Sequence, residues 1–271
     1  MPNPRKRFGQ HWLKSQAVLE KIVAAAELKE CDRILEIGPG TGILTQKLLP
    51  LAEAVTAVEI DRDLCKLLVR KFRDTDNFLL LQDSILSLNL NAVLSHYPSF
   101  ANPNKIVANI PYNITGPILD LVLGSLAQPR EPAFESIVLL LQQEVAQRLT
   151  AQSGSKVFGA MSVRTQYLAT CDYICHVPST AFKPRPKVDS AVVRLCPRPY
   201  PSQTDNPRWF ETLVKLGFSS RRKMLRNNFK SVVDRDQLAV ILEQLGVSSQ
   251  ARAEDLSVDR WVALSNRLQP A

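Results

Sequence analysis

The run VANIPYNIT at residues 107–115 interrupts an apolar stretch with an amide, a rigid proline and an aromatic ring. Asn109, Ile110, Pro111 and Tyr112 make a poor core but a good platform for something flat that carries an amine. An exocyclic amine on an adenine-like base is a weak nucleophile, because its lone pair is delocalised into the ring. Two acceptors aimed at its two hydrogens favour a pyramidal, more reactive nitrogen. The Asn109 side-chain oxygen supplies one, and a backbone carbonyl near Ile110 or Pro111 the other. Pro111 fixes φ and holds that carbonyl still. Tyr112 offers a stacking face, worth about 1–3 kcal/mol per base in single-stranded nucleic acid. The base must be unpaired or flipped out of its helix to reach such a platform. No strong general base is required once the nitrogen has become cationic, so rate would rest on alignment. The same residues also suit an ordinary turn; their place after an apolar strand favours the chemical reading.

A second constellation lies upstream. ILEIGPGTG sets Gly38, Gly40 and Gly42 between a strand pattern and a helix pattern, where glycines permit a tight turn and close approach of a ligand to the backbone. Ile43 stands where a third dinucleotide-type glycine would be, and no Gly-Lys-Ser/Thr follows, so a smaller adenosine-bearing cofactor is expected. Glu59 closes the next strand, 21 residues after Gly38, where an acid can accept from both ribose hydroxyls. Asp83 ends the third strand, where a carboxylate can meet the exocyclic amine of adenine. S-adenosylmethionine fits this set best. Glu36 in the first strand suits the cofactor's amino group and suits a structural role equally well.

Positioning these residues takes a parallel sheet. RILEI (33–37), AVTAVEI (54–60), NFLLLQ (77–82), KIVANI (105–110) and SIVLLLQ (136–142) are near-continuous apolar runs, and YICHV and SAVVRL add two later strands. Helical patterns such as GILTQKLLPL and DRDLCKLLVRKF separate the early ones. The expectation is an α/β fold: a doubly wound, mostly parallel seven-stranded sheet whose ligands gather at the carboxyl ends of the strands. CPRPYPSQTDNPRW (196–209) has four prolines and no periodicity and is expected to be a linker. The division therefore falls at 1–197 for the sheet domain, with a basic arm at 1–14, and 198–271 for a small helical domain.

The chain has 271 residues, 45% hydrophobic and 22% charged, with a formal net charge of +8. No apolar run approaches the roughly 20 residues of a membrane span, and the N-terminus lacks the apolar core of a secretory signal, so a cytoplasmic protein with no membrane contact is expected. Five cysteines at scattered positions point to reduced thiols. Cys171, Cys175 and His176 are too loosely spaced for a zinc site, and no metal is expected. The positive charge sits in three clusters, which favours a phosphate-rich partner over a merely solubilising surface. Arg5, Lys6 and Arg7 lie in the arm, Lys183 and Arg185 in FKPRPK, and Arg221, Arg222, Lys223, Arg226 and Lys230 in SSRRKMLRNNFK. The last cluster predicts a helix over 219–233 capped by Ser219 or Ser220. Arg222, Arg226 and Lys230 would share one face for phosphates, with Leu225, Phe229 and Val232 or Val233 on the packed face.

These motifs, in this order and spacing, resemble the ribosomal RNA adenine N6,N6-dimethyltransferases, and within them the small-subunit branch. The likeness runs from RKRFGQHWL through EIGPGTGILT, AVEIDRDL, NIPYNIT, LLQQEVAQRL and FKPRPKVDSAVVRL to FSSRRKMLRNNF. It implies a cofactor site spanning His11, Leu13, Gly38, Gly40, Glu59, Asp83 and Asn109. It also implies a target base held by Asn109, Pro111 and Tyr112, with Phe182 closing the sandwich from the other face. The resemblance further implies two adjacent adenines near the 3′ end of small-subunit ribosomal RNA as substrate, in an assembly intermediate, and a monomer is expected. One departure is GQHWL, where the family motif most often reads Gly-Gln-Asn-Phe-Leu; His11 either binds cofactor or orders the arm. The competing readings are the related large-subunit methylators, a non-catalytic assembly or transcription factor on the same fold, and a DNA amine methylase.

Overall fold

The computed structural model describes Arg5 and residues 9–268. Lys6 and Arg7, both expected to bind RNA, lie outside the described residues. The chain forms two compact units. The first comprises Met1–Val122, Pro132–Ala146 and Asp172–Pro197; the second comprises Leu123–Glu131, Gln147–Cys171 and Arg198–Ala271. The expected division at 197/198 is one crossing point, but the second unit is not contiguous. Two segments assigned from sequence to the sheet domain group with it instead; in the second of them the helix Ala160–Leu168 packs against the later helices Pro207–Gly217 and Val258–Arg267.

The first unit is built on a sheet. Its strands are β1 (Trp12–Leu13), β2 (Arg33–Ile37), β3 (Ala54–Glu59), β4 (Phe78–Gln82), β5 (Lys105–Asn109), β6 (Ser136–Gln142), β7 (Ala169–Val177), β8 (Phe182–Lys183) and β9 (Ser190–Pro197). Seven of these run in the order β4-β3-β2-β5-β6-β9-β7. The pairs β3–β4, β2–β3, β2–β5 and β5–β6 are parallel, and β6–β9 is antiparallel. Strand order reverses between β2 and β5, the switch point at which such sheets open a crevice at their carboxyl ends. Strands β2, β3, β5 and β6 are almost wholly buried, which is why they read as unbroken apolar runs.

The helix Arg62–Lys71 is capped by Asp61, whose side chain accepts from the Asp63 amide. The expected helix after the glycine loop is shorter than its apolar pattern, Thr45–Leu48 followed by a 3-10 turn at Leu49–Leu51, since Pro50 cannot donate to an α-helical ladder. The remaining pair of strands, β1 and β8, forms a separate antiparallel ribbon in which Trp12 faces Lys183 and Leu13 faces Phe182.

The second unit packs the helices Ala160–Leu168, Pro207–Gly217, Leu225–Asn228, Arg235–Gln244 and Val258–Arg267. Its centre is Trp261, fully buried with Phe210 and Phe229. Gly217 allows that packing: a Cβ there would lie 2.4 Å from the Trp261 ring. The expected linker is largely exposed but anchored, for Tyr200 stacks on Tyr167 with ring centroids 5.2 Å apart and Thr204 is buried. No helix among the described residues is long and apolar enough to cross a membrane.

The basic segment corrects the expectation of one helix over 219–233. Residues 219–223 form turns, Met224 is extended and bridges Arg252, and only Leu225–Asn228 is α-helical. The Asn228 amide donates to the carbonyls of Gly217 (2.5 Å) and Ser220 (3.2 Å), pinning the turn, and the Ser219 hydroxyl donates back to Leu216 instead of capping. Arg222, Arg226 and Lys230 therefore do not form a regular helical row, although each is exposed. Leu225 and Phe229 are fully buried, as the apolar face required.

Candidate active site

The carboxyl ends of β2, β3, β4 and β5 meet at a cavity of about 270 Å3. Gly38 and Gly40, Glu59, Asp83 and Asn109 follow or end those four strands and all line it, together with His11 and Leu13 from the arm and Pro111 and Tyr112. Every residue expected to hold cofactor is thus on one wall system.

Gly38, Gly40 and Gly42 all have positive φ (68°, 58° and 71°), the left-handed region that disfavours a side chain. Gly42 is needed for packing as well, because a Cβ there would come within 2.7 Å of the Phe72 ring and 2.8 Å of Leu68. The Gly38 amide donates to Val58 (2.9 Å), tying the loop to β3. Lys71 clamps the far side of the loop, donating to the carbonyls of Gly42 (2.9 Å) and Thr41 (3.3 Å).

Glu59 is almost fully buried, and burial pushes its carboxyl above the ordinary range against the backbone amides of Asp61 and Gly40, which lower it. Each of its oxygens accepts one of those amides, Asp61 at 2.9 Å and Gly40 at 3.2 Å. A carboxylate oxygen has a second lone pair, so acceptor capacity remains for two hydroxyls. Asp83 accepts from the Ser84 amide on one oxygen, leaving the other for an amine. Between these acids the wall is apolar: Ile60, Ile85 and Leu86 line it, and Ile60 and Leu86 remain 49% and 42% exposed. Two partly exposed aliphatic side chains beside two acids suit a flat purine bearing hydroxyls, so the residues fit S-adenosylmethionine. Glu36, also on the wall, accepts from the Thr45 hydroxyl (2.6 Å), and burial pushes its carboxyl up to about 8.

At the Asn-Ile-Pro-Tyr corner, the Asn109 amide nitrogen donates to the His11 carbonyl (3.4 Å). That bond orients the side chain with its oxygen as the unspent acceptor. The Pro111 carbonyl accepts from Ile114 (3.3 Å) and the Thr115 hydroxyl (3.5 Å) as the following turn begins, so the Ile110 carbonyl is the better second acceptor. Tyr112 shares a 2.6 Å hydrogen bond with Ser190, and burial pushes its phenol above the usual range. The His11 ring lies nearly parallel to Tyr112, with centroids 5.8 Å apart, and its Nδ1 donates to the Pro184 carbonyl (2.8 Å).

Phe182 is the main correction to the expected site. It is 2% exposed, packs in the apolar core with Leu13, Val177 and Val192, and does not line the cavity. Its place in β8 opposite Leu13 turns the ring into the core, so the aromatic beside Tyr112 is His11. Arg5, expected to meet RNA, is paired with Asp61 (3.5 Å) and Asp63. Gln10 adds a 3.0 Å bond to Asp61 and accepts from the Arg5 amide (2.7 Å). Lys183 is exposed, and Arg185, also exposed, donates to the Ser179 hydroxyl (2.9 Å). Arg221 is spent on the carbonyls of Lys156 and Phe158, both at 2.7 Å. Sequence reasoning missed Thr45, Lys71, Ile60 and Leu86; the isoleucine directly after a strand-end acid was the one available signal.

Residues 1–270 match the family described as ribosomal RNA adenine dimethylase. The chain is similar to ribosomal RNA small subunit methyltransferase A of Acaryochloris marina, 60% identical over 271 residues, covering 100% of this chain and 99% of the relative. Among solved structures it is similar to a dimethyladenosine transferase from Plasmodium falciparum, with 26% identity, a TM-score of 0.76, and 94% and 96% of the two chains covered. It is also similar to the 23S rRNA methyltransferase ErmE, with 28% identity, a TM-score of 0.74, and 95% and 99% covered. With its glycine loop, strand-end acids and Asn-Ile-Pro-Tyr corner on one cavity, the chain belongs to the ribosomal RNA adenine dimethylase family.

Proposed function

We propose that this protein transfers methyl groups from S-adenosylmethionine to the N6 amines of two adjacent adenines near the 3′ end of small-subunit ribosomal RNA. One observation carries the reading. The unspent acceptor of Asn109, the Ile110 carbonyl and the Tyr112 ring border the same cavity as Gly38, Glu59 and Asp83. Bound there, S-adenosylmethionine supplies an electrophilic methyl on a sulfonium. Glu59 takes the ribose hydroxyls, Asp83 the adenine amine and Glu36 the ammonium. Asn109 and the Ile110 carbonyl accept the two hydrogens of the target amine, Tyr112 carries the base face, and Pro111 sets the angle between them. Alignment, rather than a general base, supplies most of the acceleration.

Exposed cations offer phosphate contacts on each unit taken by itself: Lys183 and Arg185 on the first, and Arg222, Lys223, Arg226 and Lys230 on the second, which serves as the RNA-binding unit. An irregular array positions phosphates without reading sequence. The small-subunit reading is supported by 60% identity to the small-subunit relative against 28% to ErmE. The partner is an assembly intermediate of the small subunit, met by a monomer in the cytoplasm.

Purified protein, methyl-labelled S-adenosylmethionine and unmethylated small or large subunits test this, with nucleosides read by mass spectrometry. The expected product is dimethyladenosine in small-subunit RNA, reduced about 100-fold or more by Asn109→Ala, the scale of a lost alignment. Label in large-subunit RNA would transfer the reading to the ErmE-like activity. Subunit binding without label would make the protein an assembly factor.

A further inference from the structure

Tyrosine and phenylalanine offer a base the same stacking face, so the Tyr112 hydroxyl serves something other than stacking. It meets the Ser190 hydroxyl at 2.6 Å. Ser190 is fully buried, opens β9 and stands opposite Gln142, the last residue of β6. Strand β6 lies between β5 and β9, so this bond ties the turn after β5 to β9 across the end of β6. The three residues after Ser190, namely Ala191, Val192 and Val193, are apolar and fully buried. A hydroxyl in such surroundings finds a partner or costs about 1–3 kcal/mol. The phenol is the one partner of the Ser190 side chain among the described residues. The other end of Tyr112 is held too, for its carbonyl accepts from the buried Thr115 hydroxyl at 3.2 Å. Tyr112 is thus fixed at its backbone and at the tip of its ring. Tyr112 lines the cavity, whereas Ser190 does not.

We propose that Ser190 is a positioning residue for methyl transfer, holding the Tyr112 ring in the one direction that presents the target amine to the methyl group. This rests on the reading of Tyr112 as the platform for the target base. A tyrosine oxygen lies on the long axis of its ring, so a bond to it fixes where that axis points. Without the bond the side chain keeps its stacking face and can swing about χ1 toward the other staggered wells. The base would still find an aromatic face. Its amine would no longer be held in one geometry against the Asn109 oxygen and the Ile110 carbonyl. A misplacement of about 1 Å costs about 100-fold in rate. Sealed from the cavity, Ser190 acts only through the phenol, and its effect falls on kcat rather than on cofactor binding.

A double-mutant cycle in the whole protein tests this. Its readouts are methylation of unmethylated small subunits, calorimetric titration with S-adenosylhomocysteine, and melting temperature. Ser190→Ala and Tyr112→Phe should each lower kcat about ten-fold to a hundred-fold, with S-adenosylhomocysteine affinity kept within about two-fold. The double variant should be no slower than either single, because all three remove the same bond. Stability should follow a different pattern. Each single leaves one hydroxyl unmatched and should melt lower, while the double loses both partners and should melt near wild type. A slow double variant of wild-type stability is a result that a merely structural bond cannot give. Either single at full kcat, or a double variant that regains it, would overturn the proposal. A loss of S-adenosylhomocysteine binding in step with rate would overturn it as well. Tyr112→Ala at full kcat would overturn the platform reading, and inactive wild-type protein the functional reading; the role of Ser190 falls with either.

Discussion

The two ends of strand β2 carry buried carboxyl groups with opposite fates. Asp32, just before the strand, and Glu36, one residue from its end, are each 1% exposed. Burial pushes both upward. Asp32 also accepts from the Lys105 ammonium (2.8 Å), the Asn104 amide (2.8 Å) and the Lys29 backbone (2.7 Å), and these hold it below the ordinary carboxylate range. Glu36 has the Thr45 hydroxyl, with the Glu59 charge opposing ionisation, and is raised to about 8. At equal burial, the carboxyl before the strand is held below its ordinary range and the one near its far end above it, so donor count decides. At the amino end of β2 the Asp32 carboxylate is matched by three donors and serves as scaffold. The carboxyl end keeps unspent polar atoms, on Glu36 and Asn109, and that is where a ligand finds them.

The largest test strikes the matched end. Lys105→Met would strand Asp32 without its ammonium, and a broken buried pair costs about 3–5 kcal/mol. Urea denaturation at pH 7 would read it, and a loss near zero would remove the contrast between the two ends.

Glu36→Gln probes the unmatched end through pH. The unfolded acid titrates near 4.5 and the folded one at about 8, so as pH rises the unfolded chain gives up its proton first. Glu36 therefore subtracts stability progressively between those values. The glutamine variant should show a flatter stability curve across that window, gaining about 1–3 kcal/mol on wild type by pH 8. Parallel curves would mean that Glu36 is ionised in the folded protein.

In the second unit, the same distinction separates neighbouring arginines. Arg221→Ala loses two bonds to carbonyls and should cost about 1–2 kcal/mol in stability. Arg222→Ala should stay within about 0.5 kcal/mol and instead lower RNA affinity and the salt slope by about one. The smallest effect is expected for Asp61→Asn, which keeps the helix cap and loses the ion pair to Arg5. With Arg5 38% exposed, that pair is worth less than about 1 kcal/mol, visible as a slight fall in melting temperature that vanishes at high salt.

Most of the sheet was legible in the sequence because buried parallel strands leave unbroken apolar runs: SIVLLLQ is β6 residue for residue, and RILEI is β2. The site residues after those strands were legible for the same reason, since a strand's end fixes where the next polar residue must sit. Phe182 was not legible, because a two-residue strand has no periodicity and its register with Leu13 alone decides which way the ring turns. The helix expected over 219–233 failed because local spacing cannot foresee distant acceptors: the Lys156 and Phe158 carbonyls, far back in the chain, take Arg221. The noncontiguous second unit was hidden likewise, as composition changes at Cys196 while the packing partners of Gln147–Cys171 come later.

The β1–β8 ribbon joins Trp12 to Lys183, residues 171 positions apart. Chains are made from the amino terminus, and domains fold as their parts emerge. The arm that supplies His11, Trp12 and Leu13 is thus synthesised first, but its strand partner appears only when the first unit is nearly complete. Glycine loop, acids and Asn-Ile-Pro-Tyr corner can all be in place while one wall is still missing. A nascent chain halted before residue 183 would hold most of the chemistry and lack an enclosed cofactor pocket, so competence for methyl transfer arrives late in translation rather than growing with chain length.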